Sequence, residues 1–228
     1  MRMLAFSDVD RWGECQFLAV DKVKPDIIIL AGDLTWDGFA PFYYRDKGIR
    51  SEVIQKRIHA DQFYRFLKYA GGKAPVLVVK GNHDEEGDYD SEKINEVAGC
   101  REISGKFFEV KESRFLGFGF NEAHSIKAIR SMIEEFGGKA HIAVMHGEHI
   151  RLISSLKPRI VIKGGGVLGN YLVNDVPSVY TGPGGYAIIT SDEKTTAKVS
   201  FFGFGGKRIT GFVPLYEHHK WIKPYPIL

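Results

Sequence analysis

The sequence predicts an α/β fold in which two packed sheets carry helices on their outer faces. Three observations lead there. Several short runs are apolar at every position, as strands covered on both faces are. Amphipathic helical stretches separate the early runs. The later part of the chain is rich in aromatic and β-branched residues broken by glycine turns, the pattern of antiparallel or mixed strands.

The elements follow in chain order. Met3–Phe6 is the first apolar run and leads into Ser7-Asp8-Val9-Asp10. Glu14–Val23 puts Phe17, Leu18 and Val20 on a helical face, and Pro25 closes it. The second strand, Asp26–Ala31, contains Ile27-Ile28-Ile29-Leu30 and runs into Gly32-Asp33. Together these make a β-α-β unit. Ser51–Tyr69 reads as a long amphipathic helix with Ile54, Ile58, Phe66 and Leu67 inside, ended by Gly71-Gly72. Pro75–Lys80 is a third buried strand, followed by Gly81-Asn82-His83-Asp84. Ala128–Phe136 is a helix closed by Gly137-Gly138, and His141–Met145 is a strand that ends at His146. His149–Leu156 forms a short helix, and Arg159–Lys163 a strand that ends in Gly164-Gly165-Gly166. Phe107–Phe120 and Tyr171–Val213 supply the remaining strands, with turns at Gly182–Gly185 and Gly203–Gly206. No repeat or linker interrupts the pattern, so residues 1–228 read as one domain.

Composition narrows the function classes. With 44% hydrophobic residues the chain can bury a sizeable core, and 26% charged residues are ordinary for a globular protein. Lys plus Arg exceed Asp plus Glu by 31 to 28, a net charge of +3 too weak and scattered to argue for nucleic acid or an anionic membrane. No apolar stretch approaches the ~18 residues of a membrane span, and no signal-peptide core precedes the first strand. Two cysteines, Cys15 and Cys100, form no disulfide framework and point to a reducing, cytoplasmic setting. Asn and Gln total only eight, a trait of thermophile proteins.

The chemistry gathers at strand ends. Asp8 and Asp10, then Asp33, then Asn82, His83 and Asp84, and finally His146 follow four buried strands. In α/β sheets, ligand sites lie outside the carboxyl ends of the strands. A single aspartate there most often caps a turn. Carboxylates, an amide oxygen and imidazoles at one rim form instead a ligand set for a divalent cation, without which the carboxylates would repel one another.

These residues, Asp8-Val9-Asp10, Gly32-Asp33, Gly81-Asn82-His83-Asp84 and His146, resemble the calcineurin-like metallophosphoesterase family over roughly residues 1–190. The resemblance implies a four-layer α/β/β/α sandwich of two mixed sheets and a pair of divalent metals. It implies that Asp8 binds one ion, Asp33 bridges both, and Asn82 and His146 bind the other. His83 would donate a proton to the leaving oxygen or clamp the phosphoryl group, and Asp84 would orient the His83 ring. The implied reaction is hydrolysis of a phosphate ester, a phosphodiester in preference to a monoester, on a phosphorylated small molecule. A nuclease role rests on the family's range alone.

The sequence also departs from the family pattern. Asp10 stands where the family has the histidine of Asp-x-His. Gly164-Gly165-Gly166-Val167 stands where it has Gly-His-x-His. Two readings follow. In one, Asp8, Asp10 and Asp33 form an oxygen-rich site suited to Mn²⁺ or Mg²⁺, with Asn82 and His146 holding a second ion and His149 either a spare ligand or, by preference, a surface or capping histidine. In the other, the site is a relic of a binding or scaffolding module, with the Lys163 ammonium in the space of a lost ion and the glycines as an anion nest. The aromatic stretch Trp36, Phe39, Phe42, Tyr43 and Tyr44 is expected to overhang the site or to pack. His59 reads as a surface histidine, and His218-His219-Lys220-Trp221 as part of an extended tail.

Overall fold

The structure, a computed structural model, describes residues 1–9, 11–36, 40–165, 169–182, 185–191, 197–203, 216–217 and 220–221. The first part runs β1 (Arg2–Phe6), α1 (Glu14–Val23), β2 (Ile27–Ala31), α2 (Ala40–Asp46), α3 (Glu52–Gly71), β3 (Val76–Val79), α4 (Ser91–Glu96) and β4 (Cys100–Glu102). The second adds β5 (Phe107–Val110), β6 (Ser113–Phe118), α5 (Phe120–His124), α6 (Ile126–Phe136), β7 (Ile142–His146), α7 (Ile150–Ser154) and β8 (Ile160–Gly164). It continues with β9 (Gly169–Val173), β10 (Val176–Tyr180), β11 (Gly185–Ser191) and β12 (Ala197–Gly203). A separate two-stranded ladder pairs β13 (Tyr216–Glu217) with β14 (Lys220–Trp221).

Two mixed six-stranded sheets result, in the orders β12-β11-β1-β2-β3-β4 and β5-β6-β7-β8-β10-β9. The apolar runs become the parallel centre of each sheet. Leu4 lies opposite Ile28, Ile29 opposite Leu77, and Val144 opposite Ile162. Antiparallel β11 and β12 extend the first sheet beyond β1.

Strand alternation sorts the side chains into layers. Met3, Ala5, Ile27, Ile29, Leu77 and Val79 face Ile142, Val144, Ile160 and Ile162 in the core between the sheets. Leu4, Phe6, Ile28 and Leu30 turn outward onto Val20, Phe63, Phe66 and Leu67 of α1 and α3. Ala143, Met145 and Val161 turn outward onto Ile129, Met132 and Ile153 of α6 and α7. The four-layer α/β/β/α sandwich is therefore present.

Local details differ from the sequence reading. The inner face of α3 runs through Gln55, His59, Phe63, Phe66, Leu67 and Ala70, so the helix is turned by about one residue and Ile54 stands exposed. His59 is consequently buried, not on the surface. Leu18 of α1 is likewise exposed. The turns around Pro183-Gly184 and Phe204–Gly206 and the tail residues His218-His219 lie outside the described residues.

Candidate metal centre

The strand ends bring the site together. The β1–β2 ladder continues one step past both strands, with the Asp8 amide donating to the Gly32 carbonyl and the Val9 amide to the Asp33 carbonyl, each at 3.0 Å. At this step both aspartates adopt left-handed backbone, φ 50° at Asp8 and 55° at Asp33. Aspartate tolerates that conformation better than most residues, and such strain gathers at functional sites.

His146 closes the centre from the other sheet. Two and four residues before it, Val144 and Ile142 point between the sheets, and alternation sends the imidazole the same way. Nδ1 lies 2.8 Å from the Ala31 carbonyl, which it meets as a donor, so Nε2 faces the cluster. There Nε2 is 3.0 Å from Asn82 Oδ1 and 3.5 Å from Asp33 Oδ2. The glycines before Asp33 and Asn82 have a steric cause. A Cβ on Gly32 would fall 2.4 Å from His146 Nδ1, and one on Gly81 would fall 2.2 Å from the Asp33 amide.

Asp8, Asp33 and His146 are all buried, and their donor atoms lie within 4.8 Å of one another. Two carboxylates and an imidazole so gathered fit a divalent cation of the Mg²⁺, Mn²⁺ or Zn²⁺ type. The protonation pattern agrees with a site built around positive charge. Burial pushes the Asp8 carboxyl up to about 6, with the Asp33 charge adding to it and His146 opposing. Burial alone would lower His146; the Asp33 carboxylate, the Asp8 charge and the Ala31 carbonyl outweigh it and raise the imidazole to about 9. Without a cation the His146 imidazolium balances the two acids; a divalent ion bound there would displace the Nε2 proton and leave the one on Nδ1.

Asp84 does something other than orient the His83 ring. Its carboxylate accepts from the amides of Gly81 at 2.7 Å, Asp33 at 3.0 Å, and Leu34 and Thr35 at 2.7 Å each. The Thr35 hydroxyl adds a contact at 3.1 Å. Burial and the neighbouring Asp33 push this carboxyl up, and the amides of Gly81, Thr35 and Leu34 pull against them. Asp84 thus ties the loop after β2 to the loop after β3. The His83 ring instead meets Glu86, with Nδ1 3.3 Å from Oε1, while the His83 main-chain amide donates to Asp33 Oδ1 at 2.9 Å.

Two residues near the centre carry contacts that no motif reveals. The Gly165 amide donates to Asp8 Oδ2 at 2.8 Å, and the Ser7 hydroxyl lies 2.5 Å from the same oxygen. Lys163 is buried, but on the outer face of the second sheet, where its ammonium sits 4.8 Å from the Tyr180 ring centre and donates to the Gly165 carbonyl at 2.6 Å. It shares that face with Val161 and does not fill an ion's place between the sheets. His149 precedes α7, its ring beside that of His124, and is not in the three-residue group. The expected ligand Asp10, with Asp37, Phe39 and Gly166, lies outside the described residues.

Behind the first sheet's loops, packing accounts for Trp36 and Tyr44 of the aromatic stretch. Trp36 stacks on Tyr44 at 6.5 Å, and both meet the His59 ring edge-on. Phe42 is exposed. The Tyr44 hydroxyl is 3.3 Å from His59 Nδ1, while Nε2 lies near the Val9 and Leu34 carbonyls without a well-formed hydrogen bond. Burial pushes His59 down to about 4 against the pull of those carbonyls. Trp12 Nε1 donates to the Leu34 carbonyl at 2.7 Å. Cys15 and Cys100 are free thiols, and burial pushes Cys100 up to about 12.

Comparison with known proteins agrees with this fold. The sequence profile described as calcineurin-like phosphoesterase matches residues 1–188. The chain belongs to that family. No curated protein matches it. One solved crystal structure superposes with a TM-score of 0.62 at 18% identity, over 89% of this chain and 98% of its own. TT1561 of Thermus thermophilus superposes with a TM-score of 0.59 at 13% identity, over 87% of this chain and 97% of its own. At those identities the likeness speaks for the fold alone. Among the described residues, Asp8, Asp33 and His146 form a group that could hold the divalent metal typical of calcineurin-like phosphoesterases. No described helix is long and apolar enough to cross a membrane.

Proposed function

We propose that this chain is a metal-dependent phosphoesterase that hydrolyses a phosphodiester of a small molecule. The observation that carries the reading is the convergence of buried Asp8, Asp33 and His146 from both sheets onto one spot. Asp8, Asp33, Asn82 and His146 would hold the metal of a dinuclear or partly degenerate site, Mn²⁺ or Mg²⁺ for a donor set this rich in oxygen. Held there, a divalent cation would supply Lewis-acid polarisation of the phosphoryl oxygens and activation of a water.

The chain's own residues do the rest. The Ala31 carbonyl keeps the proton of His146 on Nδ1 and leaves Nε2 as the ligand atom. Asp84 fixes the loops that carry Asp33 and Asn82. His83 is half-exposed beside Asp33, and we assign it proton delivery to the leaving oxygen as the P–O bond breaks. Glu86, rather than Asp84, sets its ring.

The test is turnover of a chromogenic phosphodiester by the purified protein with Mn²⁺ or Mg²⁺. Chelation is expected to abolish it. His83→Ala is expected to lower it by ~10²-fold or more, as loss of a general acid does, and Asp33→Asn to remove it. Activity that survives both substitutions overturns the site. Metal binding without turnover on any phosphate ester favours a binding module.

A further inference from the structure

At the start of the second sheet's parallel strands, register lines up three basic residues. Phe115, Ile142 and Ile160 lie opposite one another on β6, β7 and β8 and face the core between the sheets. One step earlier on the same strands stand Arg114, His141 and Arg159. The His141 amide donates to the Arg114 carbonyl and the Arg159 amide to the His141 carbonyl, each at 2.8 Å, so this row is in register too. Alternation sends all three side chains to the outer face, next to Leu116, Ala143 and Val161.

Like charges on neighbouring strands repel one another. Here the residue between the two arginines is kept neutral. The Arg114 guanidinium donates to His141 Nε2 from Nη2 at 2.7 Å and from Nε at 3.1 Å, so Nε2 bears no proton and the ring carries its one proton on Nδ1. Burial pushes the imidazole pKa down, Arg114 and Arg159 add to this, and Glu109 opposes them. Glu109 is exposed and lies opposite Arg114 across the β5–β6 hairpin. Among the described residues, however, no carboxylate forms an ion pair with Arg114 or with Arg159. Lys139 and Lys157, in the segments that lead into β7 and β8, add positive charge at the same end.

The row is thus a set of donors without an anionic acceptor. Guanidinium groups pair with phosphate oxygens through charge-assisted bonds of ~2.7–2.9 Å. Arg114 and Arg159 start two strands apart, ~9.6 Å, a span that one phosphate closes when a guanidinium reaches it from either side. His141 is ~16 Å from His146 along β7 and on the opposite face of the sheet, so a small ligand here does not touch the candidate metal centre.

We propose that Arg114, His141 and Arg159 form a second ligand site, on the outer face of the second sheet, that takes a phosphate dianion, either free or as the terminal group of a phosphomonoester. The site stands apart from the metal reading and does not depend on it.

The full chain is stripped of metal with chelator and titrated with inorganic phosphate and with methyl phosphate at constant ionic strength. The His141 ring resonances are followed by NMR, with calorimetry alongside. Saturable movement of those resonances is expected. Movement with methyl phosphate assigns a terminal phosphate group, and movement with inorganic phosphate alone assigns the free anion. Arg114→Gln and Arg159→Gln are each expected to weaken binding about tenfold or more, as loss of a charge-assisted hydrogen bond does. The double variant is expected to abolish it, with circular dichroism showing that the fold is kept. His141 resonances that neither ligand moves would overturn the proposal, as would binding that the folded double variant retains.

Discussion

At the rim of the first sheet, three neighbouring parallel strands deliver Asp8, Asp33 and Asn82, and Asp84 takes the amides of the loops behind them. At the rim of the second sheet, β7 delivers His146 alone, and β8 ends in a glycine turn held by Lys163. The first rim is organised by a buried anion that gathers N–H groups. The second is organised by a buried cation that gathers carbonyls. Among the described residues, the candidate metal donors come mostly from the first; the second contributes the His146 imidazole, and the Gly165 amide that donates to Asp8. A sheet edge with few candidate donors can thus be held in shape by a buried charge that fixes its backbone.

This contrast can be broken from the first rim. Asp84→Ala would leave the buried amides of Gly81, Asp33, Leu34 and Thr35 without their acceptor. Unpaired buried groups cost ~1–3 kcal/mol each, so a loss of about 4 kcal/mol or more is expected in chemical denaturation. A loss below about 1 kcal/mol would mean that this rim does not depend on its anion.

The pH dependence sharpens the same contrast, since His59 sits behind the first rim only. Its folded pKa is about 4, against an ordinary value of 6.5. A histidine held neutral in the fold stabilises fully above pH ~6.5, and that contribution falls as the unfolded chain takes up the proton down to pH ~4. Between pH 7.5 and pH 5 the wild type is expected to lose about 2 kcal/mol that His59→Gln does not lose. Urea midpoints at the two pH values measure the difference, and equal losses in both proteins would place the titration elsewhere.

The smallest effect is expected away from both rims. Ser125 caps α6 by accepting from the Ala128 amide at 3.2 Å. Ser125→Ala should cost about 1 kcal/mol in thermal or chemical unfolding, with Mn²⁺ affinity unchanged. A change in metal binding from this substitution would show that the outer helices reach the centre.

Much of the molecule is legible in the sequence because its physics is local. Ile27–Ala31 and Val76–Val79 are apolar on both faces, which only a covered strand explains, and they lead directly to Asp33 and Asn82. The short elements α2, α4, α5 and β4 do not stand out from loops. They have seven residues or fewer and too few turns for a period to show. Residue type misplaces the face of α3, because Ile54 is apolar and His59 is not, while burial follows the packing of Trp36 and Tyr44. The role of Asp84 cannot be read from its neighbours in sequence, since three of its amide donors come from residues 33–35. Gly165 and Lys163 act through backbone groups, which leave no mark on residue type beyond a glycine run.

The placement of β11 and β12 has a consequence for any shortened version of this protein. The family match stops at residue 188, inside β11, yet Val199 and Phe201 of β12 help fill the core between the sheets. Cutting the chain there would remove β12 and the part of β11 that pairs with Arg2 and Met3 of β1, the strand that leads into Asp8, and leave unpaired backbone and oily neighbours open to other molecules. Such a fragment should clump rather than work, although it contains every matched residue.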